Sequence, residues 1–431
     1  MERFFNFSAY GTSFKTEFIG GLTTFLSMCY ILVANPLILG QAGMDSGAVF
    51  TATALAAIIG TLTMGLFANY PLALAPSLGL NSFFTYSVVI GMGVPWETAL
   101  AGVLVSGLLF LGITAFKIRE KIIDAIPESL KYAIASGIGF FVAFIGLKNS
   151  GIIVSSPATF VALGNLHDPS TLLAIFGFII SVILILRGFQ GGIFYGMVIT
   201  TVIGIAVGII EKPTAIVGSI PSLQPTLGVA ISHLNSVLNV EMLVVVFTFL
   251  FVSFFDASGT LIAVANQAGI MKNNKIPRVS QALVADASAS VVGSLLGTST
   301  VTALIESSAG IAAGARTGFS SLVVAGFFFL ALFFSPLLSV ITAPVTAPAL
   351  IIVGAMMASQ IQKINWQQLH MAIPAFVTII MMPLTFSVAT GIALGFIIYP
   401  IIMLALKKQR EIHPIMYGLM IVFIVYFAYI S

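Results

Sequence analysis

Charged residues are scarce in this sequence. Asp, Glu, Lys and Arg together make up 7% of the 431 residues, whereas soluble globular domains carry about 25%. This shortage excludes a water-facing surface over most of the chain. Hydrophobic residues make up 59%, the mean hydropathy is +1.12, and the apolar runs are long and continuous rather than alternating. The sequence therefore predicts an all-α polytopic membrane protein.

Cysteine and histidine are also rare. The single Cys29 excludes a disulfide framework and a thiolate metal site. The four histidines lie between apolar segments, so neither a metal site nor a cofactor is expected. No polar stretch reaches the roughly 50 residues of a soluble domain, and the N-terminal residues lack the apolar core and cleavage site of a signal peptide. The net charge of +3 is a matter of membrane topology and predicts no nucleic-acid partner.

Apolar segments of about 20 residues, long enough to cross a bilayer, follow one another along nearly the whole chain. Fourteen can be delimited, near residues 17–40, 48–69, 72–91, 97–116, 128–148, 171–187, 190–210, 241–265, 279–297, 299–315, 318–338, 344–361, 370–388 and 389–406. A further apolar stretch, 414–430, has no assigned place in this series.

The basic residues support this segmentation. With a cytoplasmic N-terminus and fourteen spans, all of the 17 Lys and Arg residues except Lys148 and Lys212 fall on the inner side. An excess of Lys and Arg in cytoplasmic loops is typical of membrane proteins. The pattern therefore predicts a multi-pass protein whose N-terminus lies in the cytoplasm.

Three short matches indicate an internal repeat. ILVAN at 31–35 matches IAVAN at 262–266, ATALAAIIGTL at 52–62 matches ADASASVVGSL at 285–295, and GIFYGMVI at 192–199 matches GIALGFII at 391–398. They pair the first span with the eighth, the second with the ninth and the seventh with the fourteenth. Because seven is odd, the two halves enter the membrane from opposite sides, which is the inverted repeat of many secondary transporters.

The third and tenth segments are poor helices. NYPLALAPSLGLNSFF at 69–84 contains Pro71, Pro76 and Gly79, and GTSTVTALIESSAGIAAGA at 297–315 begins with residues that favour extended backbone. Irregular backbone at membrane depth is tolerated only where protein or a cavity covers it. We therefore expect two half-extended, half-helical segments whose half-helix N-termini face one central site. The alternative is a pair of ordinary kinked helices.

Three acidic residues lie deep within the predicted spans: Asp256, Asp286 and Glu306. A charge at the bilayer centre costs roughly 2.5–3.5 kcal/mol, so such residues are candidates for function. No basic residue lies at matching depth in the sequence, which makes these carboxyl groups candidate proton carriers. For Asp286, among small residues in VADASAS, a purely structural hydrogen bond between helices is an equally good interpretation.

Other side chains near these acids could contact a ligand. Asn81, after the Gly79 kink, offers both a donor and an acceptor. Thr260 lies one turn beyond Asp256, and Ser307 follows Glu306. Phe83 could stack on a flat ring, although with 36 phenylalanines any single one is more often part of the core or the lipid-facing surface.

Several motifs that contain these residues resemble the AzgA-like purine permeases, a branch of the nucleobase–ascorbate and nucleobase–cation transporter superfamily. The resemblance covers essentially the whole chain, and its motifs stand in the same order: GGLTTFLSMCYILVANPLILG, APSLGLNSFFTYSVV, LKYAIASGIGFFVAFIGLKNSG, FFDASGTLIAVA, STVTALIESSAGIAAGARTG and TIIMMPLTFSVATGIALGF.

The resemblance implies a fold of fourteen spans in two inverted repeats of seven. It implies a substrate-carrying core of about 17–116 and 241–338, and a gate of about 128–210 and 344–406 through which the protein forms a homodimer. The implied activity is proton-coupled uptake of hypoxanthine, guanine or adenine across the bacterial plasma membrane, with the proton as coupling ion.

By motif, the binding residues of the family fall on Asn81, Asp256 and Glu306. Many relatives carry a second aspartate where this chain has Ser253, so proton coupling and substrate preference need not match theirs. Hypoxanthine and guanine are the preferred substrates on overall likeness, with an adenine-preferring permease as the alternative.

Three other classes of protein fit the sequence less well. An anion exchanger would need cations facing its site, and none lies at that depth in the sequence. An intramembrane hydrolase would need a nucleophile with histidine, or paired aspartates with their flanking signature. A channel is disfavoured because titratable acids at mid-membrane and an inverted repeat are typical of carriers.

Overall fold

A computed structural model of the chain describes residues 2–115, 126–189, 191–213, 215–268, 270 and 277–430. Within these residues the protein is almost entirely helical, with two small two-stranded sheets. The predicted inner cations Lys117, Arg119, Lys121, Lys272 and Lys275, and the ends of the predicted segments at 116 and 190, lie outside the described residues.

The described part of the first half of the chain contains eight α-helices of more than four residues and three strands. The helices are α1 Phe14–Met28, α2 Ile31–Gly40, α3 Ser46–Thr63, α4 Leu78–Ser82, α5 Trp96–Ala115, α6 Glu128–Asn149, α7 Pro169–Leu186 and α8 Gly192–Ala206, with β1 Leu74–Pro76, β2 Ile153–Ser156 and β3 Phe160–Leu163. Two π-helical stretches, Met64–Ala68 and Phe83–Gly91, continue α3 and α4 without a break.

The described part of the second half contains eight α-helices of more than four residues and one strand. Its elements are α9 Val240–Gln267, α10 Val279–Leu296, β4 Val301–Ala303, α11 Ser307–Ala312, α12 Gly318–Ala331, α13 Ala343–Ala358, α14 Leu369–Leu384, α15 Val388–Ala405 and α16 Pro414–Ile430. Short helical turns lie at Glu2–Phe5, Phe7–Tyr10, Val229–Ser232, Leu234–Val237, Leu332–Val340, Ser359–Lys363 and Gln409–Glu411.

The helices agree with the predicted apolar segments. In the part of the chain that the structure describes, nine helical stretches are long and apolar enough to cross a membrane, and five further apolar helices are shorter. The prediction of a helical, multi-pass membrane protein is confirmed. The unassigned stretch 414–430 forms helix α16, which packs against α9 and α15.

The third and tenth segments are broken as their sequences predict. β1 and β4 form an antiparallel ribbon in which Leu74 pairs with Ala303, Ala75 with Thr302 and Pro76 with Val301. Each strand leads into a helix, β1 into α4 and β4 into α11. The kinked-helix alternative is therefore wrong for both segments.

Helix contacts fall into two sets. In one set α5 packs against α9 and α10, α1 against α11 and α12, and α3 against α10 and α12. In the other, α6 packs against α13 and α14, and α7 against α8 and α13. Gly139 and Gly354 allow α6 and α13 to approach closely, since a Cβ on Gly139 would lie 2.6 Å from the Gly354 carbonyl oxygen. The β1–β4 ribbon belongs to the first set, because α9 and α10 contact β4 and α3 contacts β1.

Candidate functional site

The β1–β4 ribbon brings together the starts of two helices. The Ser77 amide donates to the Thr300 carbonyl oxygen at 3.1 Å, and the Leu304 amide donates to the Ala73 carbonyl oxygen at 3.0 Å. Ser77 is the residue that precedes α4, and Glu306 the residue that precedes α11. Polar side chains that follow the two strands are therefore held around one short stretch of extended backbone.

Glu306 is buried, with 9% of its surface exposed. The Tyr30 hydroxyl donates to Glu306 Oε1 at 2.5 Å, a short bond of the kind made to a charged acceptor. Tyr30 lies at the joint between α1 and α2, where the first span is interrupted. Sequence reasoning missed Tyr30, because a tyrosine in an apolar segment carries no signal of a polar partner.

Asp256 approaches the same ribbon from α9. The Ser77 hydroxyl donates to Asp256 Oδ2 at 3.1 Å, and α9 packs against α4, α11 and β4. The two acids therefore flank the β1–β4 ribbon: Glu306 follows β4, and Asp256 is bonded to the residue that follows β1. Ser77 is a second contact that no local pattern predicts, because a serine in an apolar stretch does not reveal its partner.

Among the described residues, neither acid has a cation beside it. The ion pair of Lys408 with Glu411, at 3.4 Å, lies on a surface turn far along the chain. Buried carboxylates are ordinarily paired or strongly hydrogen-bonded, since an isolated ion is costly to remove from water. The arrangement leaves carboxyl oxygens available to a ligand that brings hydrogen-bond donors.

Asn81 is fully buried on α4. In the described part of the structure neither its Nδ2 nor its Oδ1 has a hydrogen-bond partner. The hydroxyls of Ser82 and Thr85 on the same helix, and those of Ser299 and Thr300 before β4, are likewise buried without a partner there. Because nearly all buried polar groups in proteins are hydrogen-bonded, this concentration of unsatisfied groups beside the ribbon indicates a place for a polar ligand.

The other predicted ligand contacts have different surroundings. Thr260 is buried one turn along α9 from Asp256. The Ser307 hydroxyl accepts from the Ala73 amide at 3.0 Å and so closes the end of the ribbon. The Phe83 ring packs edge-on against Phe249 with centroids 4.9 Å apart, which is the core packing that the abundance of phenylalanine favours.

Asp286 lies behind the ribbon, on α10. Its Oδ1 accepts from the Ala303 amide at 2.7 Å and from the Thr302 hydroxyl at 3.1 Å. On α3, Thr61 makes the matching contact with β1, accepting from the Leu74 amide at 2.9 Å. This geometry fits the structural alternative for Asp286, in which it holds β4 in place, better than it fits proton coupling.

We expect Asp286→Asn to keep uptake within about threefold of the unchanged protein, because an amide oxygen still accepts from the Ala303 amide. Asp286→Ala removes the acceptor and should lower the free energy of unfolding by about 1–3 kcal/mol. Thermal melting in detergent and uptake in cells measure the two effects. Complete loss of uptake in Asp286→Asn with normal melting would instead make Asp286 a proton carrier.

Ser253 is the position at which the resemblance to purine permeases implies a second aspartate. Its hydroxyl donates to the Phe249 carbonyl oxygen of the same helix at 2.6 Å, and the side chain is buried. A serine bonded to its own helix neither holds a charge nor offers its proton to a ligand. Asp256 is therefore the acid that this helix contributes.

Comparison with known proteins gives consistent matches along the chain. The sequence model of a permease family, Xan_ur_permease, matches residues 15–394. The chain is 55% identical over 440 residues to the guanine/hypoxanthine permease PbuG of Bacillus subtilis, covering 100% of both chains. It is 43% identical to the adenine permease AdeP of Escherichia coli, covering 100% of this chain and 96% of AdeP.

Solved structures support the fold. The transmembrane domain of the cyanobacterial bicarbonate transporter BicA has a TM-score of 0.65 at 19% identity, covering 88% of this chain and 97% of that domain. SLC26A9 also has a TM-score of 0.65, at 12% identity, covering 91% of this chain and 65% of that protein. At such low identity these likenesses concern the fold alone.

Proposed function

Because the chain belongs to the Xan_ur_permease family and is a transporter rather than an enzyme, we propose that it carries purine nucleobases, with hypoxanthine and guanine as its substrates. The predicted resemblance to purine permeases is confirmed by the relatives, and PbuG at 55% identity favours hypoxanthine and guanine. The observation that carries the proposal is the ribbon flanked by Asp256, Glu306 and the unsatisfied amide of Asn81.

The chemistry of a purine is complementary to these groups. The ring presents N–H donors along one edge, and carboxylate oxygens are strong acceptors for them. In this proposal Glu306 accepts from the ring N–H groups, and Asn81 donates to a ring nitrogen or carbonyl oxygen while accepting from an N–H. Such paired contacts orient a flat ligand, since each group can be satisfied in only one position of the ring.

Proton coupling is the second part of the proposal. Asp256 and Glu306 lie near mid-membrane in the predicted topology, without a neighbouring cation among the described residues. Uptake of one proton by this pair removes a buried negative charge, which lowers the cost of moving the site through an apolar surrounding. We assign the coupling proton to Asp256, which among the described residues accepts a hydrogen bond from the Ser77 hydroxyl, and we assign the contacts with the ring N–H groups to Glu306.

For the architecture, we propose fourteen spans in an inverted repeat, with the N-terminus in the cytoplasm. The substrate-carrying core would comprise residues 17–116 and 241–338, and the gate residues 128–210 and 344–406. The two sets of helix contacts and the paired strands β1 and β4 support this division. Movement of the core against a gate that forms a homodimer would expose the ribbon to the two sides alternately.

Two alternatives differ from this proposal in the substrate. AdeP, at 43% identity, makes adenine the second candidate. The bicarbonate transporter BicA shares the fold, but a site flanked by two carboxyl groups repels an anion. Anion exchange is therefore the weaker of the two alternatives.

Competition experiments test the proposed substrate. In cells lacking their own purine uptake systems, we expect unlabelled guanine to inhibit uptake of labelled hypoxanthine strongly, with adenine weaker and bicarbonate without effect. Collapse of the proton gradient by an uncoupler should abolish accumulation. Strong inhibition by adenine combined with weak inhibition by guanine would instead assign the protein to adenine.

A further inference from the structure

A cavity lies away from the ribbon, at the face that the charge distribution predicts to be external. It has a volume of about 520 Å³, within the roughly 300–1,000 Å³ that is usual for small-molecule sites. Its walls come from the end of the π-helical stretch Phe83–Gly91, the end of α6, the β2–β3 hairpin and the loop between α14 and α15. We call it the Lys148 cavity, after the cation in its wall.

Lys148 has no carboxylate within ion-pair distance among the residues that the structure describes. Its ammonium nitrogen lies 4.9 Å from the centre of the Phe386 ring and 5.9 Å from that of Tyr86. Aromatic faces stabilise an ammonium group but accept no conventional hydrogen bond from it. The three N–H donors of Lys148 are therefore available to a ligand in the cavity.

Phe386 forms the base of the cavity under strain. Its φ is +55°, a left-handed conformation that is rare for a bulky residue and persists only where the surroundings enforce it. The Ser87 hydroxyl donates to the Phe386 carbonyl oxygen at 3.0 Å, and the Phe386 ring meets the edge of Tyr86 with centroids 5.4 Å apart. The loop between α14 and α15 is thus fastened to the helix that carries Asn81.

The helix connects the two sites directly. Ser87 follows Asn81 by six residues in the continuous helical stretch formed by α4 and Phe83–Gly91, so the two residues lie less than two turns apart. A purine bound against Phe386 would therefore lie near the residues beside the ribbon, along the same helix. The aromatic rings provide a flat apolar wall, and Lys148 provides donors at its edge.

Lysine distinguishes between purines by the atoms it can contact. Hypoxanthine and guanine present two neighbouring acceptors, O6 and N7, to which lysine donates in protein–nucleic acid complexes. Adenine presents an amino group in place of O6, and lysine has no acceptor for that group.

We propose that the Lys148 cavity is a second, weaker binding position that selects 6-oxopurines before they reach the ribbon, with Lys148 donating to O6 and N7. This inference rests on the proposed purine transport. It extends that function from the central site to the route that leads to it.

Equilibrium dialysis of radiolabelled hypoxanthine against the purified protein in lipid nanodiscs tests the inference. We expect two binding positions in the unchanged protein. Glu306→Gln should weaken the tight position about 10- to 100-fold and leave the weak one unchanged, whereas Lys148→Met should weaken only the weak position. In Glu306→Gln, unlabelled guanine should displace the weakly bound label, whereas adenine at equal concentration should not. A single position in the unchanged protein, or displacement by adenine equal to that by guanine, would overturn the proposal.

Uptake kinetics provide a second measurement. Lys148→Met should raise the KM for hypoxanthine about three- to tenfold while the maximal rate stays constant, because Lys148 is exposed to solvent and one lost hydrogen bond there has an ordinary net contribution. Lys148→Arg should keep most of the affinity, and Lys212→Met, which removes the other predicted outer cation, is the matched control. A KM equal to that of Lys212→Met would refute the role of Lys148. Failure of the proposed function itself looks different, because the unchanged protein would then not accumulate hypoxanthine at all.

Discussion

Glu306→Gln abolishes the accumulation of radiolabelled hypoxanthine, if Glu306 accepts the ring N–H groups and shares the coupling proton with Asp256. Hydrogen bonds to charged groups contribute about 1.5–3 kcal/mol each, and glutamine replaces one charged acceptor oxygen by an NH2 donor that cannot accept from a ring N–H, so the affinity for hypoxanthine should fall about 10- to 100-fold. The neutral amide also cannot take up a proton, and uptake against a gradient then has no driving force. Asp256→Asn should abolish accumulation for the second reason, with a smaller effect on affinity.

The matched control is Glu17→Gln. Glu17 is as buried as Glu306, but its Oε1 accepts from the Arg316 and Thr317 amides at 2.8 Å and 3.1 Å, at the start of α12. A glutamine oxygen accepts from those amides too, so hypoxanthine should still accumulate in this variant. Membrane levels of all three variants are compared by immunoblotting. Normal accumulation in Glu306→Gln would remove Glu306 from the binding site.

Whether a site residue can be predicted from the sequence depends on whether its own chemistry carries a local signal. Asp256 and Glu306 could be identified because a carboxyl group within an apolar span is costly wherever it points. The two broken segments could be identified because Pro71, Pro76 and Gly79 interrupt one and a β-branched, hydroxyl-rich stretch opens the other. Both signals come from local chemistry that any packing must accommodate.

The partners of the two acids lay beyond such reasoning. Ser77 and Tyr30 are 179 and 276 residues away from the acids that they contact. Hydroxyl groups are common in membrane helices, where they often bond to their own backbone, as Ser253 does. The pairing of β1 with β4 decides which hydroxyls reach a carboxylate. No local sequence pattern specifies the register of that pairing.

Asp286 shows that predicted depth in the membrane does not by itself identify an acid that binds a ligand. It meets the same test as Asp256 and Glu306, since all three are acids deep within an apolar segment. The position of Asp286 on the far side of β4, where its oxygen accepts the Ala303 amide, distinguishes it from the other two. A buried acid that holds backbone and one that awaits a ligand look alike in the sequence, and they differ only in which groups already satisfy them.

Asn81→Leu should separate binding from stability. The unsatisfied amide of Asn81 carries a desolvation cost of about 1–3 kcal/mol in the empty protein, and a leucine of similar volume removes that cost. We therefore expect the variant to melt at a higher temperature than the unchanged protein while its uptake of hypoxanthine falls at least about 100-fold, since two hydrogen bonds to the ring are lost. Thermal melting in detergent, with and without hypoxanthine, measures both effects in one series.

Melting in the presence of hypoxanthine distinguishes a ligand-binding role of Asn81 from a purely structural one. Hypoxanthine should raise the melting temperature of the unchanged protein, because a ligand that binds only the folded state stabilises it in proportion to its concentration over Kd. It should leave Asn81→Leu unaffected. A structural asparagine would behave in the opposite way, because its replacement would lower the melting temperature of the empty protein and preserve the shift caused by hypoxanthine. The Asn81 amide is buried without a hydrogen-bond partner until the substrate binds. The same unsatisfied hydrogen bonds therefore lower the stability of the empty protein and contribute to the affinity for the substrate.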